Sequence, residues 1–168
     1  NQTSIKCVEL LETGQVDLIV INYPNSYLSN LYSFKQIAEF KDVFIANRSF
    51  AELKDKALSL RDLLNYPILM LDRKSTTSEF LHSLFQKHQL DLVPEIELSS
   101  NDLLIDLAKI GLGIAFIPDY CVPKDSDDLF VVHTDEVLPT RQLVVVHNEH
   151  VPVSKATLEF LNYFQPIE

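Results

Sequence analysis

The sequence predicts an α/β fold, because helical and strand patterns alternate along its 168 residues. This order is typical of helices that cover a largely parallel sheet. Two strand patterns, 16–21 and 114–117, are nearly continuous apolar runs, as in strands buried on both faces. Each follows a helical pattern that ends at a glycine, Gly14 or Gly111. Two similar α/β lobes in one chain would produce this repeat.

The first part of the chain begins with a helix. Apolar residues at helical spacing predict it over 5–11, with Thr3 or Ser4 as the N-cap. Gly14 follows, where a helix can end in the left-handed conformation. After the strand at 16–21, residues 30–47 contain β-prone stretches, and 51–65 are predicted to be helical in part.

The middle of the chain repeats the strand–helix order. We predict a buried strand over 68–71, a polar loop over 72–77, and a helix whose apolar face runs from Phe80 to His88. A short strand over 94–98 and a helix over 103–110 come next, with Ser99 to Asp102 supplying N-cap chemistry.

The last part contains two further predicted strands, 129–132 and 143–146, and a closing helix. Ser154 is the expected N-cap of that helix. Leu158, Leu161 and Phe164 are expected along one side of it.

Composition excludes several classes of function. The net charge is −10, so the chain is not expected to bind DNA unaided. It has only three glycines, and the position that would complete a dinucleotide-binding G-x-G-x-x-G is Phe116. No apolar run approaches the roughly 18 residues of a membrane span, and no signal peptide is visible. Two cysteines outside any C-x-x-C pair fit a reduced cytosolic protein.

The sequence nominates no metal, cofactor or catalytic site. His147 and His150 form H-N-E-H rather than H-E-x-x-H, and the other histidines lack the spacing of zinc ligands. We therefore expect no cofactor, no metal and no enzymatic activity. A catalytic set assembled in space, including Cys121 or His133, stays open as an alternative.

Hydroxyl-rich segments stand where helices begin after strands: Thr3-Ser4, Ser75 to Ser78, and Ser99 to Asn101. Helix N-termini favour anions because they present N–H groups and the positive end of the helix dipole. In open α/β sheets, ligands bind at the carboxyl ends of strands. Ordinary N-capping explains the same residues, so both interpretations stay open.

The stretch 99–118, S-S-N-D-L-L-I-D-L-A-K-I-G-L-G-I-A-F-I-P, closely resembles a recurrent segment of LysR-type transcriptional regulators. In that family, a helix ends in G-x-G-I before an apolar strand and a proline. Matching segments in the expected order are L-L-E-T-G-Q-V-D-L-I-V at 10–20, F-I-A-N at 44–47, and the segments 66–85, 141–146 and 154–164.

The resemblance implies a two-lobed fold like that of type 2 periplasmic binding proteins, with two crossover strands and a ligand cleft between the lobes. The lobes would be 1–41 plus 140–168, and 42–139. It also implies a cytoplasmic sensor that binds a small, anionic effector. The parent protein would be a homodimer or tetramer, and this chain would contact neither nucleic acid nor membrane. The family's winged helix, and its first strand, helix and second strand, would lie upstream. A stand-alone solute-binding protein of the same fold is the alternative.

The resemblance also nominates effector contacts. The positions that match the family's contacts are Thr3, Ser4, Ser75, Thr76 and Thr77. Two further candidates, Ser100 and Asn101, head the next helix, and the residues themselves suggest Arg73 as a bidentate partner for a carboxylate. For Arg73 a solvent-facing position is equally compatible with the sequence.

Overall fold

The computed structural model describes residues 3–29, 31–124 and 128–164. The chain divides into two compact units, of which the first consists of 1–40 and 140–168 and the second of 41–139. No helix in these ranges has both the length and the apolar character that a membrane span needs.

The first unit has a three-stranded sheet in the order β1-β9-β2. Both β1 and β2 run antiparallel to β9, which comes from the far end of the chain. The elements are α1 (Ser4–Glu12), β1 (Leu18–Tyr23), β2 (Ser33–Phe40), β9 (Arg141–His147) and α5 (Lys155–Tyr163). The predicted parallel arrangement is therefore wrong for this unit, because β9 runs antiparallel to both of its neighbours.

Helix α1 forms where the periodicity predicts it. Thr3 is its N-cap, and its side chain accepts a hydrogen bond from the Lys6 backbone N–H. After the helix, Gly14 adopts a φ of +66°. Val8 and Leu11 of α1 pack with Ile19 of β1 and with other strand residues to form the core of the unit.

One prediction of burial in this unit is wrong. Strand β1 begins at Leu18 rather than at residue 16 and is not buried on both faces, since Val20 is 38% exposed. Helix α5 has Ser154 as its N-cap, as predicted, and its Leu158 is 47% exposed. Its buried residue is Thr157, whose hydroxyl donates to the Asp17 carboxylate over 3.0 Å.

The second unit has a six-stranded mixed sheet in the order β4-β8-β3-β7-β5-β6. Strands β5, β6 and β7 are parallel, whereas β3 is antiparallel to both β7 and β8. The strands are β3 (Asp42–Asn47), β4 (Ala57–Leu58), β5 (Ile68–Leu71), β6 (Ile96–Leu98), β7 (Ile114–Pro118) and β8 (Leu129–Thr134). The prediction of a largely parallel sheet thus holds for its β7-β5-β6 part and for the short pairing of β4 with β8.

The helices of this unit are α2 (Leu60–Leu63), α3 (Thr76–Lys87) and α4 (Asn101–Lys109), with 3-10 turns at Arg48–Leu53 and Asp119–Cys121. The segment 51–65, which was predicted to be helical in part, contains the end of the first 3-10 turn, β4 and α2. The polar loop is shorter than predicted, because α3 already begins at Thr76.

Two cores cover the opposite faces of this sheet. Leu81 and Phe85 of α3 pack on the face that contains Phe44 and Phe116. Leu104 of α4 and its neighbours pack on the other face. Because α3 follows β5 and α4 follows β6, both helices begin at the carboxyl edge of the parallel strands, but on opposite faces.

Candidate functional site

The first turn of α3 contains four consecutive hydroxyl residues, all of them buried. Ser75 is 8% exposed, Thr76 4%, Thr77 1% and Ser78 0%. Ser75 is the N-cap, and its Oγ accepts a hydrogen bond from the Thr77 backbone N–H over 3.1 Å. Capping therefore accounts for one role of Ser75, while its hydroxyl hydrogen is still able to donate.

Thr77 connects this turn to the sheet. Its Oγ1 donates to Oδ1 of Asp42 over 3.5 Å. Asp42 is 1% exposed and begins β3, opposite Pro118 at the carboxyl end of β7. The adjacent Lys41 is held to Asp119, since its backbone N–H donates to the Asp119 carboxylate and its carbonyl accepts from the Asp119 N–H.

The first turn of α4 lies at the same edge of the sheet. Ser100 is its N-cap, with Oγ 3.5 Å from the Leu103 nitrogen. The Asn101 amide nitrogen donates to Sγ of Cys121 over 3.6 Å. The buried Asn101 Oδ1 has no hydrogen-bond partner in the part of the chain that the structure describes. The predicted contacts Ser100 and Asn101 thus begin a helix that packs on the other face of the sheet from α3.

Acidic residues dominate the surroundings of Cys121. Partial burial is the main cause that raises the pKa of this thiol to about 11, and the carboxylates of Asp102, Asp42 and Asp119 add to the shift. A thiol with such a pKa is almost entirely protonated at neutral pH, and only the thiolate is a good nucleophile. The geometry therefore does not favour Cys121 as a catalytic nucleophile.

The remaining predicted contacts lie outside the first turns of α3 and α4. Thr3 and Ser4 begin α1 in the first unit, both half-buried. Arg73 lies ahead of α3, with a side chain that is 78% exposed and a nitrogen 3.9 Å from the Glu97 carboxylate. An exposed pair of this kind contributes little to stability.

Sequence reasoning left two residues out of the set of predicted contacts. Asp42 lies 35 positions before Thr77, so no local pattern connects them. Ser78 is part of the hydroxyl-rich segment, but its complete burial depends on how α3 packs on the sheet. Within the described ranges, no three His, Cys, Asp or Glu side chains are placed to hold a metal ion.

The chain matches the family model "LysR substrate binding domain" over residues 2–166. Among curated relatives, the transcriptional activator CmpR of Synechocystis is 25% identical over 158 residues, which cover 93% of this chain and 51% of that protein. A probable RuBisCO transcriptional regulator of Porphyra purpurea is 29% identical over 157 residues, covering 88% and 48%. The chain thus spans about half the length of these relatives.

Solved structures share the fold. The regulatory domain of Synechocystis CcmR, in complex with 2-PG, superimposes with a TM-score of 0.85 at 20% identity, covering 96% of this chain and 78% of that one. The effector-binding domain of QuiR, in complex with shikimate, has a TM-score of 0.83 at 15% identity and covers 96% and 76%. These domains have the type 2 periplasmic-binding-protein-like fold, which confirms the predicted fold class. The chain belongs to the LysR substrate-binding domain family.

Proposed function

We propose that this chain is the effector-sensing part of a LysR-type transcriptional regulator and that it binds a small anionic metabolite at the first turn of α3. The observation that carries the proposal is the run Ser75, Thr76 and Thr77 at the start of a 12-residue helix. This run lies at the carboxyl edge of parallel strands, where α/β folds bind ligands.

The chemistry of this turn favours an anion over a cation. Its backbone N–H groups and the helix dipole attract negative charge. Arg73 and Lys74 directly precede it and add positive charge near the same place. The net charge of −10 repels an anion at long range. The attraction between the anion and the first turn of α3 therefore has to come from nearby groups, because salt screens distant charges. Family members of known structure hold 2-PG and shikimate, which are small anions.

Access to the turn requires movement. Ser75, Thr76 and Thr77 are at most 8% exposed, so a ligand can reach their hydroxyls only after the surrounding chain has rearranged. An effector that binds the rearranged form shifts the population toward it. This coupling of binding to conformation is what a sensing domain needs.

We further propose that the two compact units are the two effector-binding lobes, 1–41 plus 140–168 and 42–139. The observed units, 1–40 with 140–168 and 41–139, support this division. Five further residues remain predicted contacts of the effector: Thr3, Ser4, Arg73, Ser100 and Asn101.

The role of the whole protein is part of the proposal. Since the relatives are transcriptional regulators, we infer that the parent protein is a cytoplasmic homodimer or tetramer that contacts DNA through a winged helix outside this chain. The chain itself would bind its effector without turnover and contact neither nucleic acid nor membrane.

A ligand screen by thermal shift tests the proposal. The panel is 2-phosphoglycolate, shikimate, inorganic phosphate and sulfate, with putrescine as a cationic control. A true effector at 100 times its Kd should stabilise the protein by about 2.7 kcal/mol. Thr76→Ala and Ser4→Ala should each reduce the shift, whereas Ser83→Ala, an exposed position of α3, should not. If no anion shifts the melting temperature, or only putrescine does, the proposed function is wrong.

A further inference from the structure

The second unit has an open cavity of about 380 Å³ at the opposite end of α3 from its hydroxyl-rich first turn. Small-molecule sites usually have volumes of about 300 to 1,000 Å³, so a small metabolite fits this space. The residues that supply its chemistry are two leucines and four side chains that can carry charge: Leu60, Leu90, Arg61, His88, Asp135 and Glu136.

Three separate elements hold the walls of this cavity in place. The backbone N–H of Asp135 donates to the Leu58 carbonyl over 3.0 Å, directly after the parallel pairing of β4 with β8. Arg61 belongs to α2, whose first turn is closed by a capping box. His88 is the C-cap of α3. Because the backbone positions are fixed by the fold, a ligand does not have to order them, which reduces the entropic cost of binding.

The four charged or titratable side chains are not equivalent. Nε2 of His88 lies 3.4 Å from the Glu136 carboxylate, so these two side chains engage each other. Arg61 and Asp135 differ, since neither forms an ion pair with any residue in the part of the chain that the structure describes. A guanidinium and a carboxylate thus line the same cavity without pairing.

This arrangement matches a ligand that carries both charges. A guanidinium donates two parallel hydrogen bonds to a carboxylate, and a carboxylate accepts from an ammonium group. The end of α3 at the cavity carries the negative pole of the helix dipole, which also favours the ammonium group. A simple anion would be repelled by Asp135 and Glu136, and a simple amine by Arg61. Leu60 and Leu90 provide apolar surface for an aliphatic side chain.

We propose that this cavity binds an aliphatic α-amino acid. Its carboxylate accepts from the Arg61 guanidinium, its ammonium group donates to the Asp135 carboxylate, and its side chain contacts Leu60 and Leu90. The site goes beyond the proposed function, because it lies at the other end of α3 and its ligand is a zwitterion rather than an anion.

Isothermal titration calorimetry with L-leucine tests the proposal. Two analogues of the same shape each lack one charge: 4-methylpentanoate has no ammonium group, and isopentylamine has no carboxylate. Each should bind at least about 10-fold more weakly than L-leucine, because each loses one set of charge-assisted hydrogen bonds.

Two substitutions test the residues. Arg61→Gln and Asp135→Asn should each increase the Kd of L-leucine about 10-fold or more. Both side chains are exposed, so the Tm should change by no more than about 2 °C. Arg48→Gln and Asp106→Asn are the matched controls, since they change the net charge equally at exposed positions outside the cavity. They should leave the Kd within about twofold of its original value.

The outcomes separate this site from the first turn of α3. Weaker binding of L-leucine by both cavity variants, with no change in the controls, supports the proposal. If L-leucine does not bind, if an analogue binds as tightly as L-leucine, or if the cavity variants behave like the controls, the cavity is not an amino-acid site. Thr76→Ala should leave the Kd of L-leucine unchanged. If it weakens L-leucine binding and Arg61→Gln does not, L-leucine occupies the turn of α3 and the cavity assignment is wrong, while the proposed function stands.

Discussion

Substitution of Gly113 by alanine tests how closely β7 approaches the chain before β5. A Cβ built at Gly113 would lie 2.4 Å from the Pro67 carbonyl oxygen and 2.9 Å from Cδ2 of Leu69. The nearer atom belongs to the backbone and accepts a hydrogen bond from the Ile114 N–H over 2.8 Å. The variant therefore has to move the backbone by about 1 Å, which removes this bond.

The expected cost follows from two contributions. Overpacking a closely packed site costs about 1 to 3 kcal/mol. Leaving the completely buried Ile114 N–H without its acceptor costs about another 1 to 3 kcal/mol. We expect Gly113→Ala to lower the free energy of unfolding by about 2 to 6 kcal/mol.

Gly14→Ala is the control for this prediction. Gly14 has a φ of +66°, but a Cβ there meets no atom within 4 Å. Its cost should be limited to the left-handed conformation, about 1 to 2 kcal/mol. Both variants are measured by urea unfolding followed by circular dichroism. A smaller loss for Gly113→Ala than for Gly14→Ala would refute the reasoning from close approach.

Two other predictions concern the carboxyl edge of the second unit. The raised pKa of Cys121, about 11 against an ordinary 9.0, lowers its thiolate fraction at pH 8 about 100-fold. Alkylation of Cys121 by iodoacetamide, followed by mass spectrometry, should therefore be slower by this factor in the folded protein than in the urea-unfolded chain. The rate should increase in Asp102→Asn, because one of the carboxylates that raise the pKa of the thiol is then neutral. Equal rates in the folded and unfolded chains would contradict the pKa shift. Thr77→Val removes the hydroxyl donor to the buried Asp42 carboxylate and should lower the free energy of unfolding by about 1 to 3 kcal/mol, whereas Thr77→Ser should retain most of it. If urea unfolding shows the same loss for both variants, the hydrogen bond to Asp42 is not the cause.

The first turn of α3 shows how far local patterns reach. Its hydroxyl residues are visible in the sequence, and they do begin a helix, because an N-cap depends on contacts within one turn. Their burial was not visible, since it results from packing of α3 against strands before and after it in the chain. Whether they contact an effector stays a prediction.

Strand direction was the largest error in the predicted fold. Apolar runs located β5 and β7 well, because burial on both faces leaves a local signal. The pairing of β1 with β9 joins residues more than a hundred positions apart, and nothing near β1 specifies that partner or its direction.

Local patterns in the sequence predict most of the helices and strands and, through the segment 99–118, the family of the chain. Periodicity, N-caps and glycine turns act within a few residues, so each can be interpreted locally. Three features arise only from the assembled fold: Thr77 donates to Asp42, α4 packs on the opposite face of the sheet from α3, and the buried Ser78 hydroxyl has no partner among the residues that the structure describes. These features depend on contacts between distant segments, which form only when the sheet has assembled.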